Sequence, residues 1–240
     1  MRYFGKKFQR YLSSIQASDD NFAAQLRGFG PLGILAIIII LLTGNIFVGN
    51  IILLPIGAVL VLMWARLSCT PWREVGYASP RNWIATVVGA IAFGIAFKLL
   101  MKAIMMPLFG ANPVNQTYHF LAGNRTLLPV AIWSMIAAGF GEETVFRGYM
   151  FERLSKLIGT GTIKKSLIVL ATSILFGLAH YDQGIAGVEQ AIVTGLVFGT
   201  IFAVTKKIWF VMFAHAVFDL TALVMIYYNL ETEVAHLIFK

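Results

Sequence analysis

The chain has 240 residues, 58% of them hydrophobic and only 12% charged, with a mean hydropathy of +0.78. That composition excludes an ordinary soluble domain and marks a polytopic membrane protein, and the single cysteine, Cys69, excludes a disulfide framework or a cysteine-based zinc site. The net charge of +8 fits loops that hold such a protein on the cytoplasmic side of a bilayer, so no nucleic-acid partner is expected.

Residues 1–27 mix Arg2, Lys6, Lys7, Arg10 and Arg27 with Tyr3, Phe4, Phe8 and Tyr11. This pattern predicts a basic amphipathic segment on the membrane surface, and it lacks the short apolar core and small-residue site of a cleavable signal peptide. From Gly28 to Ala65 no residue is charged. That length is about twice what a hydrocarbon core of about 30 Å requires of one helix, so two spans are expected near 30–44 and 50–65. The glycines and asparagines within Gly44–Asn50 place the turn there. A polar loop with Arg66, Arg73 and Arg81 follows. The third span runs from about Trp83 to Met106, and Lys98 and Lys102 near its far end are expected to snorkel toward the headgroups. Residues 107–126 form a loop in which His119 reads as a surface histidine.

The fourth span, about Leu127–Leu157, is long enough to project beyond the bilayer or to break near Gly139 and Gly141. Further spans are expected near Ser166–His180, Val188–Thr205 and Ile208–Tyr228, followed by a short tail. Lysines and arginines gather in the N-terminal segment, the 66–82 loop, the 153–165 loop and Lys206/Lys207, while 44–50 and 181–187 carry none. This alternation places the N-terminus in the cytoplasm. The expected fold is all-α, a transmembrane helix bundle of about seven spans, or eight. The domains are then a surface segment at 1–27, N-terminal spans at 28–126, a site-bearing bundle at 127–228 and a tail at 229–240.

Within the fourth span stands Gly139-Phe140-Gly141-Glu142-Glu143-Thr144-Val145-Phe146-Arg147. A charge in hydrocarbon costs several kcal/mol unless it is paired or reaches water, so ionisable residues at this depth are functional candidates. On a helix Glu143 and Arg147 share a face at i, i+4 and can pair, whereas Glu142 lies about 100° around and faces elsewhere. A purely structural ion cluster is the competing explanation. Two later stretches weigh against it: His180 ends one apolar run, and His215 and Asp219 stand at i, i+4 inside another. A carboxylate with two histidines and a further acid can deprotonate water and hold the oxyanion that follows, or hold a metal. A proton or ion relay uses the same residue types, although no internal repeat of the transporter kind is visible. There is no His-Glu-x-x-His pair, no Gly-x-Ser-x-Gly elbow and no phosphate-binding glycine loop.

Glu142-Glu143-x-x-x-Arg147, Phe176-x-x-x-His180 and His215-x-x-x-Asp219 resemble, in order and on successive apolar segments, the three motifs of the CPBP family of intramembrane proteases. That family, also called Abi or CAAX-protease-like, includes the type II CAAX prenyl endopeptidases. The resemblance covers about residues 127–225. It implies a helical membrane enzyme, in the bacterial cytoplasmic membrane, that cleaves a peptide or lipidated-protein substrate in contact with membrane lipid. Glu142 would activate water, Glu143 would orient Arg147, and His180, His215 and Asp219 would complete the site. No cofactor is fixed by the resemblance; a zinc variant of the mechanism would use His180, His215 and Glu142 as ligands. CAAX enzymes commonly carry asparagine where this chain has Asp219, and some members are grouped as bacteriocin-immunity proteins without a shown activity.

Overall fold

The computed structural model describes residues 2–45 and 51–239, with side chains for 13–43 and 51–239. The turn expected within Gly44–Asn50 and the side chains of Arg2, Lys6, Lys7 and Arg10 lie outside the described residues. The chain is all-helical, with 77% of residues in helix and no strand among the described residues.

Nine helices carry the described residues. They are α1 (Arg2–Arg27), α2 (Pro31–Asn45), α3 (Leu53–Leu67), α4 (Trp83–Leu108), α5, α6 (Thr162–Leu178), α7 (Gly184–Thr205), α8 (Ile208–Tyr227) and α9 (Glu231–Ala235). Helix α5 runs as Leu128–Glu143, widens into a π-helical turn at Thr144–Met150 and continues as Phe151–Ile158. Local chemistry explains several boundaries. The Asn82 side chain accepts from the Ala85 N–H and caps α4, and α7 stops where Lys206 adopts a left-handed conformation at φ 55°.

Three helices are long and apolar enough to cross a membrane: Trp83–Leu108, Tyr181–Thr205 and Ile208–Tyr227. Ser13–Arg27 and Pro31–Thr43, bent by 57° at their break, make a fourth if they form one span, and Leu53–Leu67 is a shorter apolar helix. The bundle turns its apolar side chains outward. On α4 Ile84, Val88, Ile91 and Ile95 recur at helical spacing and all are exposed, while the centre holds Glu143 at 0% and Arg147 at 1% exposure. In water that arrangement would be unstable, and in lipid it is the expected one.

Helix α8 is the central element, packed against α4 and α5. Two glycines let it come that close. A Cβ on Gly94 of α4 would meet the Ala214 carbonyl oxygen at 2.5 Å, and one on Gly139 of α5 would meet the Ala216 nitrogen at 2.5 Å. His215 lies between these two contacts, so its backbone position is set from both sides. Close backbone approach through small residues is the usual means of helix association in lipid.

Three expectations need correction. Helix α5 does not break at Gly139 or Gly141, because those residues serve contact with α8 and with Leu54 of α3. The irregularity falls at Thr144, whose hydroxyl donates to the Phe140 carbonyl at 2.7 Å and accepts from Tyr77 at 2.6 Å, opening the turn. Lys98 and Lys102 do not snorkel: they are 5% and 3% exposed and bind polar partners inside the bundle. Arg153 is not part of a solvated basic loop. It is buried in the last turns of α5, donates to the Arg27 carbonyl at 2.9 Å and lies over the rings of Phe29 and Trp64.

The glycine contacts can be tested by adding one methyl group. Gly139→Ala places that methyl against α8 backbone and is expected to destabilise the protein by about 1–3 kcal/mol, the range for overpacking. Gly161→Ala meets nothing within 4 Å and is expected to stay within about 0.5 kcal/mol of the parent. Unfolding of the purified protein in detergent, followed by circular dichroism, measures both.

Candidate active site

The site is built where α5, α6 and α8 meet. Glu142 and Glu143 end the regular part of α5 on different faces, and the π-helical turn that follows carries Arg147. Glu143 faces the interior. Its Oε1 accepts from Arg147 Nη1 at 2.9 Å and from His215 Nδ1 at 2.8 Å. Arg147 also donates through Nη2 to the Gly195 carbonyl of α7 at 3.3 Å, and its guanidinium lies 4.9 Å from the centre of the Phe176 ring. Through His215 and Arg147 this carboxylate links α5, α7 and α8.

The hydrogen bond to Glu143 also decides the chemistry of His215. With Nδ1 donating to a carboxylate, Nε2 is the nitrogen that faces the cleft, 3.8 Å from Glu142 Oε2 and 3.6 Å from Asp219 Oδ2. His180 is held the same way. Its Nδ1 donates to the Phe176 carbonyl at 2.7 Å, and its Nε2 points to Glu142 Oε1 at 4.0 Å. Glu142 therefore stands between the free nitrogens of two histidines. Phe176 packs beneath both rings, with centroid distances of 4.7 Å to His180 and 5.9 Å to His215.

These residues line a cleft with about 70 Å³ of space for water, enough for several molecules. All six residues named from the sequence are placed together: Glu142, His180, His215 and Asp219 on the cleft, with Glu143 and Arg147 directly behind. Sequence reasoning missed the rest of the lining, which includes Lys98, Asn115, Tyr118, Gln183 and Gln190. Lys98 carried a visible signal, a charge deep in an apolar span. The polar residues of the 107–126 loop and of 183–190 carried none, since nothing in their spacing points to the cleft. Burial pushes the Tyr118 phenol up to about 12, with the carboxylates of Asp219, Asp182 and Glu142 adding to the shift. Tyr118 is thus a neutral hydroxyl at any working pH. It accepts from Gln183 Nε2 at 3.3 Å.

The zinc variant needs His180, His215 and Glu142 as ligands. Both Nε2 atoms do face Glu142, but among the described residues no group of three or more His, Cys, Asp and Glu is arranged to hold a metal ion. The residues as placed do not form a metal centre, and the chemistry below uses none.

Residues 124–221 match the family model described as type II CAAX prenyl endopeptidase Rce1-like. This segment, less than half of the chain, contains all six motif residues, and over it the chain resembles that family. No curated protein matches the chain, and no solved structure does.

The roles of the adjacent glutamates differ in a measurable way. Glu143→Gln leaves the Arg147 guanidinium buried without its carboxylate and is expected to cost about 3–5 kcal/mol. Glu142→Gln removes no hydrogen bond of that kind and is expected to lower stability far less. Melting temperatures of the two variants in detergent should fall in that order; the reverse order would exchange their roles.

Proposed function

We propose that this protein is an intramembrane endopeptidase that hydrolyses a peptide bond of a membrane-associated substrate, lipidated or not, with Glu142 as general base. The observation that carries this reading is Glu142 itself, a buried carboxylate on a cleft with room for several waters and with the free nitrogens of two histidines beside it. The family match over residues 124–221 points to the same reaction class.

In the proposed sequence a water in the cleft gives a proton to Glu142 as its oxygen bonds to the scissile carbonyl carbon. The carbonyl oxygen becomes an oxyanion. His215 and His180 stabilise it when they donate from Nε2, and Glu143 behind His215 supports the positive charge this places on the ring. Glu142 then returns the proton to the leaving nitrogen, the C–N bond breaks, and the new carboxylic acid passes its proton to the amine, so that a carboxylate and an ammonium are released. Asp219 lies beside His215 and contributes a donor only when protonated. Arg147 takes no part in proton transfer: it fixes Glu143.

We read the membrane arrangement as seven spans with the N-terminus in the cytoplasm. The basic residues Arg66, Arg73, Lys164, Lys165, Lys206 and Lys207 then share one side, and the cleft, lined by Asn115, Tyr118 and Gln183, opens toward the other. Cysteines placed near Arg73 and Lys164 should label from the cytoplasmic side only, and one near Asp182 from the outside. Labelling of all three from one side would overturn this arrangement.

The reaction is tested with purified protein in liposomes and a labelled membrane peptide. Glu142→Gln should abolish cleavage, a loss of at least about 100-fold for a general base, while the protein stays folded. Asp219→Asn supplies a permanent donor and should keep or raise activity, insensitive to chelators. Chelator-sensitive cleavage, restored by zinc in Asp219→Asn, would favour the zinc variant instead. Dissipation of a pH gradient without any cleavage would overturn the protease reading.

A further inference from the structure

Lys98 is a buried cation that the proposed reaction does not use. It is 5% exposed, and its Nζ donates to Gln190 Oε1 at 2.8 Å and sits 4.5 Å from the centre of the Phe218 ring. Among the described residues no carboxylate oxygen lies within ion-pairing distance of it. Asp219, on the same cleft, is turned to His215 at 3.6 Å. Its direct partners are a neutral amide and an aromatic face, and the carboxylates of Asp219 and Glu231 act on it only from beyond ion-pairing distance, so the ammonium lacks a contact partner of opposite charge at this depth.

Lys102, one turn further along α4, shows the contrast. It pairs with Glu231 at 3.3 Å and also donates to the Pro113 carbonyl, so its charge is committed. A second cavity, with about 120 Å³ of space for water, adjoins the first, and Lys98, Asn115, Gln183 and Gln190 belong to the walls of both. Its other polar residues are the uncharged Asn112, Gln116 and Thr117 and the Lys102–Glu231 pair, whose two charges offset each other. Two amide groups are ready to donate there. Gln190 uses its oxygen on Lys98, and Asn115 uses its oxygen on the Tyr118 N–H at 3.2 Å. Neither NH2 group has a protein acceptor within hydrogen-bond distance among the described residues.

We propose that Lys98, with Gln190 and Asn115, forms a subsite for a carboxylate of the substrate, next to the bond that is cut. One free ammonium and two amide donors match a single negative charge. A doubly charged phosphate would call for a second uncommitted cation, and Lys102 is not one. Within a peptide the carboxylate comes from a free C-terminus or from an acidic side chain a few residues beyond the scissile bond. The subsite rests on the endopeptidase reading for its position but not for its binding chemistry.

Binding and cleavage are therefore measured separately. Three fluorescent peptides of one sequence are used: a free acid, a C-terminal amide, and an amide with one added glutamate beyond the scissile bond. Anisotropy titrations use Glu142→Gln in detergent, so that nothing is cleaved. The acid should bind about ten- to a hundredfold more tightly than the amide, as charge-assisted hydrogen bonds require. In Glu142→Gln carrying Lys98→Met that ratio should fall to near one, and Lys98→Arg should retain part of it. Recovery of tight binding by the glutamate peptide identifies a side-chain carboxylate as the source, and failure to recover it identifies the C-terminus. Equal binding of acid and amide by the Lys98 protein overturns the subsite and leaves Lys98 as a counter-charge to Asp219, as does a ratio that survives Lys98→Met, or no binding of any peptide. Should the acid bind selectively while wild type cleaves nothing, the endopeptidase reading fails and the subsite stands. Cleavage of acid and amide alike has the opposite meaning.

Discussion

Everything about the site depends on how Glu143 is shared. Its Oε1 receives both the Arg147 guanidinium and the His215 ring, which places a formal pair and a third polar group around one oxygen at zero exposure. In a low-dielectric interior each partner needs the others: without the carboxylate the guanidinium is a bare charge, and without the guanidinium the carboxylate is. The same bond orients His215, because a ring that donates from Nδ1 must present Nε2 to the cleft. Stability and chemistry are here one arrangement.

Helix packing makes that arrangement reproducible. Gly94 and Gly139 bring α4 and α5 against α8 on either side of His215, so the histidine is carried by a backbone with little room to shift. The π-helical turn at Thr144–Met150 then aims Arg147 back at Glu143 and at the Gly195 carbonyl of α7. Tyr77 reaches in from the 66–82 loop to hold Thr144, the residue at which the turn widens. A loop on the basic side thereby helps set the position of residues well inside the bundle.

The sequence made the six motif residues legible because each is an ionisable group in an apolar run, where chance seldom puts one. It also separated Glu142 from Glu143 by helix geometry alone. Helix locations were legible for the same reason, since long apolar runs bounded by Gly, Pro and Lys/Arg admit few alternatives. What it concealed depends on partners far along the chain. Lys98 reads as a snorkelling lysine until Gln190, 92 residues away, is seen to meet it. Gly139 reads as a helix weakness until Ala216 is seen against it. The amides of Asn115 and Gln190 resemble those of any polar stretch, and only the fold brings them to one wall.

That wall has a bearing on how the cleft is hydrated. Hydrolysis consumes a water at each turnover, and lipid cannot supply it at a useful rate. The amides of Asn115, Gln116, Gln183 and Gln190 line the second cavity beside Lys98 and lead from the 107–126 loop to the cleft of Glu142. Uncharged amides wet such a passage by donating and accepting at once. On the proposed function, water can thus reach the cleft from the loop side through the interior of the bundle, while the apolar outer surface of α4, α6 and α7 stays dry.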